Sequence, residues 1–397
     1  MPPHVSSICY NTSELTTDVR DKLQELRDAL GRDLLEEAWF FADDFSLLRW
    51  LYGWDFKFEE IIPRFKMAVE RLVALKIPHT SAETLDEFNQ LILNMTPCAQ
   101  YFPGGLMSFD RDGHPVFMQC ISKVHPKTLV KCDRVSELFK LILTEAFLAY
   151  NFTRKHEVKT GRKLGVKIII DMDGFNKDLL YAPTMKIYMN LLMLMQDTFP
   201  DFARNMYVIN APMMISAIFG MVKPVLAKQT QDKIVFLPKD YKKQLCDELG
   251  AENVYERWGG TLKAPGDSDT GFLRVGGIAP EHLRYDPTKN PHHIEEKHMI
   301  KVNVPAGKTK DFKITVTEPG SKLHWFFLAS NDIDFYIKHE NGKHVYPRLR
   351  LLTDFVPEFG QVICDHPGSY TLIFDNSYGT FFSKDVKFNV FVKTDDN

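Results

Sequence analysis

Lys167-Ile168-Ile169-Ile170-Asp171-Met172-Asp173-Gly174 is a run of apolar β-formers that stops at an Asp/Gly turn. A very apolar helical stretch, Ile187 to Met195, follows it. A second β run, Met206-Tyr207-Val208-Ile209, then stops at Asn210-Ala211-Pro212. A strand, a crossover helix and a strand of this length read as a βαβ unit with a buried parallel pair. The stretch from Met213 to Leu226 comes next, oily except at Ser216, Gly220 and Lys223-Pro224. As a helix it places Met214, Ile215, Ile218, Phe219 and Val222 on one broad apolar face. Such a helix is either part of the core or a lid over an apolar cavity. As a lid, its Lys223 suits the helix C-terminal dipole or an anionic headgroup.

Upstream, the pattern is helical. Val19, Leu23, Leu26 and Leu30 share one face of residues 16–30, and Asp43-Asp44 can cap a helix carrying Phe45, Leu48 and Leu51. A third helix runs from about Phe58 to Lys76. Thr80 and Glu83 have capping-box spacing before a fourth, which carries Leu85, Phe88 and Ile92. Leu106 to Phe109 and Val116 to Ile121 flank Asp110-Arg111-Asp112-Gly113 and read as a hairpin. A helix from Val135 to Asn151 and a basic loop from Arg154 to Lys163 lead back to Lys167.

Downstream come a strand, Ile234 to Leu237, a helix, Tyr241 to Leu249, and Trp258-Gly259-Gly260. This alternation is α/β. Beyond an aperiodic Gly/Pro/Asp-rich linker, six runs from Met299 to Val392 read as the short strands of a β-sandwich. The division is a helical part at 14–95, an α/β domain at 96–262, a linker at 263–290 and an all-β domain at 291–397.

The 397 residues have ordinary apolar and charged fractions, and the net charge of -3 gives no whole-chain argument for nucleic acid or an anionic membrane surface, while leaving room for a local basic patch. Thirty Phe and fifteen Met fit a large apolar interior. The six Cys are scattered without metal spacing, which fits a reducing compartment, and the polar stretch Met1 to Glu14 has no signal-peptide pattern. No apolar run reaches the length of a spanning helix.

Signals for covalent chemistry are weak. Asp171 and Asp173 could share a strand face and hold Mg²⁺, but Phe175 stands where the phosphohydrolase motif wants Thr or Val, and a strand-ending turn explains them better. Ala306-Gly307-Lys308-Thr309 has the tail of a phosphate loop without its first Gly. His292, His293 and His298 lack a completing ligand. Catalytic groups can be dispersed, so the residues leave the enzyme reading open but without a positive signal; no metal and no cofactor are expected.

Several motifs match a known family. Leu47-Leu48-Arg49-Trp50-Leu51, the hairpin to His114-Pro115-Val116 and Ile169 to Gly174 all resemble the CRAL-TRIO lipid-binding domain. So do Phe199-Pro200-Asp201, Tyr207 to Pro212, Val222 to Leu226 and Trp258-Gly259-Gly260. Trp325-Phe326-Phe327, Asp332 to Phe335, Pro367 to Tyr370 and Phe374 to Tyr378 resemble a GOLD domain. The order of domains is similar to the supernatant protein factor, or tocopherol-associated protein, group, relatives of the secretory phosphatidylinositol transfer protein.

The resemblance implies a soluble, cytoplasmic carrier that holds one lipid in an apolar cavity and contacts membranes transiently. The floor would include Phe117, Ile168, Ile170 and Val208, and the gate Met214, Ile215, Ile218, Phe219 and Val222. Asp201 and Lys223 stand at positions implied for the headgroup. Phosphoinositide-binding relatives carry a basic pair after the Leu-Leu-Arg motif, where this chain has Tyr52-Gly53-Trp54-Asp55. That departure opens the ligand class to tocopherol or an isoprenoid as well as a phospholipid. The GOLD sandwich could instead recruit a protein partner, through charged residues around Lys338 to Arg350, as the output of a lipid sensor.

Overall fold

A computed structural model describes residues 15–394; Cys9, the stretch Met1 to Glu14 and the last three residues lie outside it. The described chain divides into two compact units. One holds the residues up to Val69 with Pro78–Leu129 and Leu141–Ala279, and the other holds Glu70–Ile77, Val130–Lys140 and the residues from Pro280.

The first unit begins with helices α1 (Thr17–Leu30), α2 (Arg32–Glu37), α3 (Asp44–Gly53), α4 (Phe58–Ala74, whose last turn falls in the other unit) and α5 (Leu85–Leu93). Asp43 caps α3 through the Ser46 N–H, as its place in the sequence suggests. The cap of α5 is Thr84, not Thr80. Its hydroxyl accepts the Glu87 N–H at 3.1 Å, and the Glu87 carboxylate accepts the Glu83 N–H at 2.7 Å. The reciprocal pair has the expected spacing but starts four residues later, because only there does it face the free N–H groups of the first turn.

A five-stranded sheet follows, in the order β1 (Leu106–Phe109), β2 (Pro115–Gln119), β3 (Val166–Asp171), β4 (Ala203–Ile209) and β5 (Ile234–Phe236). The β1–β2 pair is the antiparallel hairpin, and β2 to β5 run parallel. The connections carry α6 (Pro126–Leu129), α7 (Val135–Thr160), α8 (Ala182–Thr198), α9 (Ile215–Val222) and α10 (Lys228–Gln231), with α11 (Tyr241–Leu249) after β5. The basic stretch read as a loop from Arg154 continues α7 to Thr160. Lys and Arg are good helix formers, and Gly161, at φ 65, ends the helix.

The two faces of this sheet differ. On one, Val116, Met118, Ile169, Tyr207 and Ile209 are fully buried against α11 and the Trp258 segment. This is the packed core of the unit.

The second unit contains two four-stranded antiparallel sheets. Their orders are β10-β9-β12-β7 and β11-β8-β13-β6, built from β6 (Ile300–Val304), β7 (Thr309–Val316), β8 (Lys322–Ala329), β9 (Ile333–His339), β10 (His344–Leu351), β11 (Glu358–Ile363), β12 (Gly368–Asp375) and β13 (Lys384–Lys393). Phe327 meets Phe335 and Phe374, with ring centroids at 4.7 and 5.2 Å, so the inner faces share an aromatic core. The six predicted runs are all strands. The pattern missed two edge strands, β10 and β11; β11 contains Gly360, where a Cβ would meet the Trp325 ring at 2.6 Å. The charges expected to lie free along β10 are partly committed: Arg348 bridges Asp334 and Asp375, and Arg350 binds Asp334.

Candidate functional site

The second face of the five-stranded sheet is the candidate site. Strand register aligns Phe117 with Ile168 and Met206, and then with Ile234. One step along, Gln119, Ile170, Val208 and Phe236 form the next row. Alternation puts both rows on the face opposite the core. Phe117, Ile168, Ile170, Met206 and Ile234 are only half-buried, and Phe236 is 42% exposed. Val208 alone of these is buried, at 5%. An apolar floor that no layer seals is thus set against a sealed core on the reverse side. The four floor residues expected from the sequence, Phe117, Ile168, Ile170 and Val208, all lie on this face.

On α8, Tyr188, Met189, Leu192 and Met193 are half-buried. Burial pushes the Tyr188 phenol above its usual range.

Helix α9 lies at this face through Phe219, whose ring meets Phe236 of β5 edge-on at 5.6 Å. Not one residue of α9 is buried. Ile215, Ile218, Phe219 and Val222 are half-buried on one side, while Met214 and Met221 are exposed at 38% and 45% and Met213 fully so. The reading of α9 as a core helix therefore fails. The helix is also intrinsically weak. It has eight residues, contains Gly220, and runs at once into a 3₁₀ turn at Lys223-Pro224. Its following segment is tied to α8, where Gln196 donates to the Val225 carbonyl at 2.7 Å and accepts the Ala227 N–H at 2.6 Å.

The polar candidates part company. The Asp201 carboxylate, on a side chain with no exposed surface, accepts from Lys163 and Lys233, each at 2.6 Å. Burial opposes its charge, but the two ammonium groups prevail and hold the carboxyl below its usual range. Lys223 is exposed at the end of α9 and is not among Asp201's ion-pair partners. Lys163 and Lys233 escaped the sequence reading because their distance from Asp201 along the chain gives no local pattern. Beside this cluster, Arg49 of the Leu-Leu-Arg motif is bound to Glu157, both 1% exposed, and donates to the Leu164 carbonyl at 2.7 Å. Within Tyr52-Gly53-Trp54-Asp55, a Cβ on Gly53 would meet the Pro200 Cβ at 2.5 Å, so that position takes no larger side chain without a shift.

Asp171 and Asp173 do not converge. Asp171 is buried and accepts from the Asp173 N–H, from Asn210 Nδ2 at 2.8 Å and from Trp258 Nε1 at 3.0 Å. Asp173 is exposed, with its carboxylate 3.7 Å from Lys123. Three donors engage both Asp171 oxygens, so the carboxylate closes a turn and forms no exposed pair with Asp173 for a cation. His292 stacks on Phe359 at 5.6 Å and lies 5.7 Å from His324, an aromatic contact in the second unit. Among the described residues, Asp110, Asp112 and His114 cluster in the hairpin turn, where Asp110 is already bound to Lys167 at 2.6 Å.

Comparison with known proteins bears on residues 99–260, which match the family of the CRAL/TRIO domain. That family binds and transfers lipids without catalysing a reaction. Protein ctg-1 of Caenorhabditis elegans is 24% identical over 366 residues, covering 88% of this chain and 91% of that one. Protein real-time of Aedes aegypti is 24% identical over 301 residues, covering 73% of this chain; the chain spans only 44% of that relative's length. The crystal structure of Sfh5 aligns with a TM-score of 0.47 at 12% identity, covering 68% of this chain and 96% of that one. No helix among the described residues is long and apolar enough to cross a membrane.

Proposed function

From a chain whose residues 99–260 are a CRAL/TRIO domain, we propose a carrier that encloses one hydrophobic lipid between the floor of Phe117, Ile168, Ile170 and Val208 and the gate helix α9. The observation that carries this reading is an apolar helix without a buried residue, lying against a sheet face that no core seals. Apolar surface of this kind gains about 25 cal/mol per Å² when covered. A lipid chain can cover it, and a bilayer offers α9 the same environment when the gate opens. Exchange then needs no covalent step.

Asp201 is neutralised by Lys163 and Lys233, and the segment after the Leu-Leu-Arg motif carries Tyr52-Gly53-Trp54-Asp55 in place of a basic pair. Both features favour a neutral ligand such as a tocopherol or an isoprenoid over phosphatidylinositol. In this proposal 14–95 and 96–262 form the lipid module, 263–290 is a linker and 291–397 is a GOLD domain, and the carrier works in the cytoplasm with brief membrane contact. Native mass spectrometry of the protein from a eukaryotic host, with extraction of the bound molecule, tests it. One equivalent of neutral lipid is expected. Stoichiometric phosphatidylinositol would move the headgroup contacts to Lys163 and Lys233, and an empty chain that takes up no lipid would overturn the carrier reading.

A further inference from the structure

The β12–β13 connection of the sandwich carries two adjacent aromatic rings that nothing covers: Phe381 is 85% exposed and Phe382 80%. The loop beneath them is firmly built. Register pairs Asp375 with Thr309 and Lys384 with Val304, so this loop and the β6–β7 connection emerge side by side at one end of the sandwich. Asn376, fully buried, joins them. Its side-chain amide donates to the Val304 carbonyl at 3.2 Å and to the Phe382 carbonyl at 3.0 Å, its N–H donates to the Lys308 carbonyl at 2.9 Å, and its carbonyl accepts the Gly307 N–H at 3.0 Å. Tyr378 donates to the Asp332 carbonyl at 2.6 Å, and Lys384 pairs with the Asp332 carboxylate at 3.1 Å. A loop held at both ends in this way presents its rings by construction.

The surroundings select an occupant. Ser377, Thr380 and Ser383 around the rings are small and neutral. Lys308, on the adjoining connection, and Lys310, at the start of β7, are exposed and in no ion pair among the described residues. Asp385, the nearby acid, is bonded to Asn303 at 2.7 Å, and Asp311 alternates to the opposite side of β7 from Lys310. Two exposed rings offer far less than the roughly 800 Å² per partner that a stable protein interface needs. They do fit the interfacial layer of a bilayer, where rings enter the acyl boundary and lysines meet phosphates.

We propose that Phe381 and Phe382 form a finger that inserts into a phospholipid surface, with Lys308 and Lys310 on the headgroups. The proposal draws on the carrier reading in one respect, because exchange of cargo requires contact with a lipid surface. The test uses the full chain and vesicles of phosphatidylcholine with phosphatidylserine. Phe381→Trp should be quenched by brominated phosphatidylcholine. The double variant Phe381→Ser with Phe382→Ser should lose vesicle co-sedimentation by about tenfold or more while keeping its thermal midpoint and its bound lipid. Unquenched Trp, or equal sedimentation of the folded double variant, would overturn the finger. Quenching by a chain that holds no lipid would support the finger and count against the carrier reading alone.

Discussion

Phe219 of α9 and Phe236 of β5 meet edge to face at 5.6 Å, and neither ring is buried. The contact joins the helix with no buried residue to the edge strand of the open sheet face. A clasp of this kind is worth about 0.5–1.5 kcal/mol. Phe236→Leu removes the ring pair and keeps the site apolar. It should raise the population of the open gate, and with it the rate of fluorescent-lipid exchange, by up to about tenfold. Phe219→Asp places an unpaired charge against the same face and should abolish loading. Normal loading of a folded Phe219→Asp chain would remove α9 from the gate role.

Asp201 and Lys223 separate the structural from the exposed charge. Asp201→Asn leaves the buried Lys163 and Lys233 without their counter-charge. It should destabilise the first unit by about 3–5 kcal/mol, seen as a lower denaturant midpoint. Lys223→Ala, at an exposed helix end, should change stability by less than about 0.5 kcal/mol. Loss of bound lipid in folded Lys223→Ala would support the headgroup role suggested by its position in the sequence.

The two carboxylates of the β3 end should respond unequally. Asp173→Asn, at an exposed side chain, should leave the thermal midpoint almost unchanged. Asp171→Asn weakens acceptance from Asn210 and Trp258 and should lose about 1–3 kcal/mol. Mg²⁺ should not shift the midpoint of the parent chain; a clear upward shift would mean that the pair binds a cation after all.

His114 makes the first unit sensitive to acid. Burial holds its imidazole down at about 4, against an ordinary value of 6.5. Between these values the unfolded chain binds a proton that the folded chain refuses. The associated stability is therefore present above pH 6.5 and is lost as pH falls through about 4. Replacement by Gln should flatten the pH dependence of the unfolding free energy in this window. An identical slope would show that other groups carry the acid response.

Much of the architecture could be read from local pattern. Ile168-Ile169-Ile170 and Met206 to Ile209 have the composition of strands buried on both sides, and each stops at an Asp or Asn that tolerates a tight turn. Asn210 adopts φ 53, a conformation open to few residues besides Gly and Asn, while its side chain reaches Asp171. The hairpin at Asp110 to Gly113 and the cap at Asp43 lay equally close to the surface of the sequence. Periodicity and turn chemistry act over a few residues, so the residues themselves carry that information.

Tertiary structure alone decided what those elements do. The apolar pattern of Met213 to Leu226 suited a core helix as well as a lid, and the difference is whether anything packs on it; nothing buries α9. Asp201 reads as a headgroup group until the fold brings Lys163 and Lys233 to it from 38 and 32 residues away in sequence. Asp171 and Asp173 share a strand end, yet the turn sends one into a hydrogen-bonded interior and the other into solvent. Sequence determined which segments are apolar, where they turn and which family pattern they follow. Burial and charge pairing depend on contacts between distant segments, and those exist only once the chain has folded.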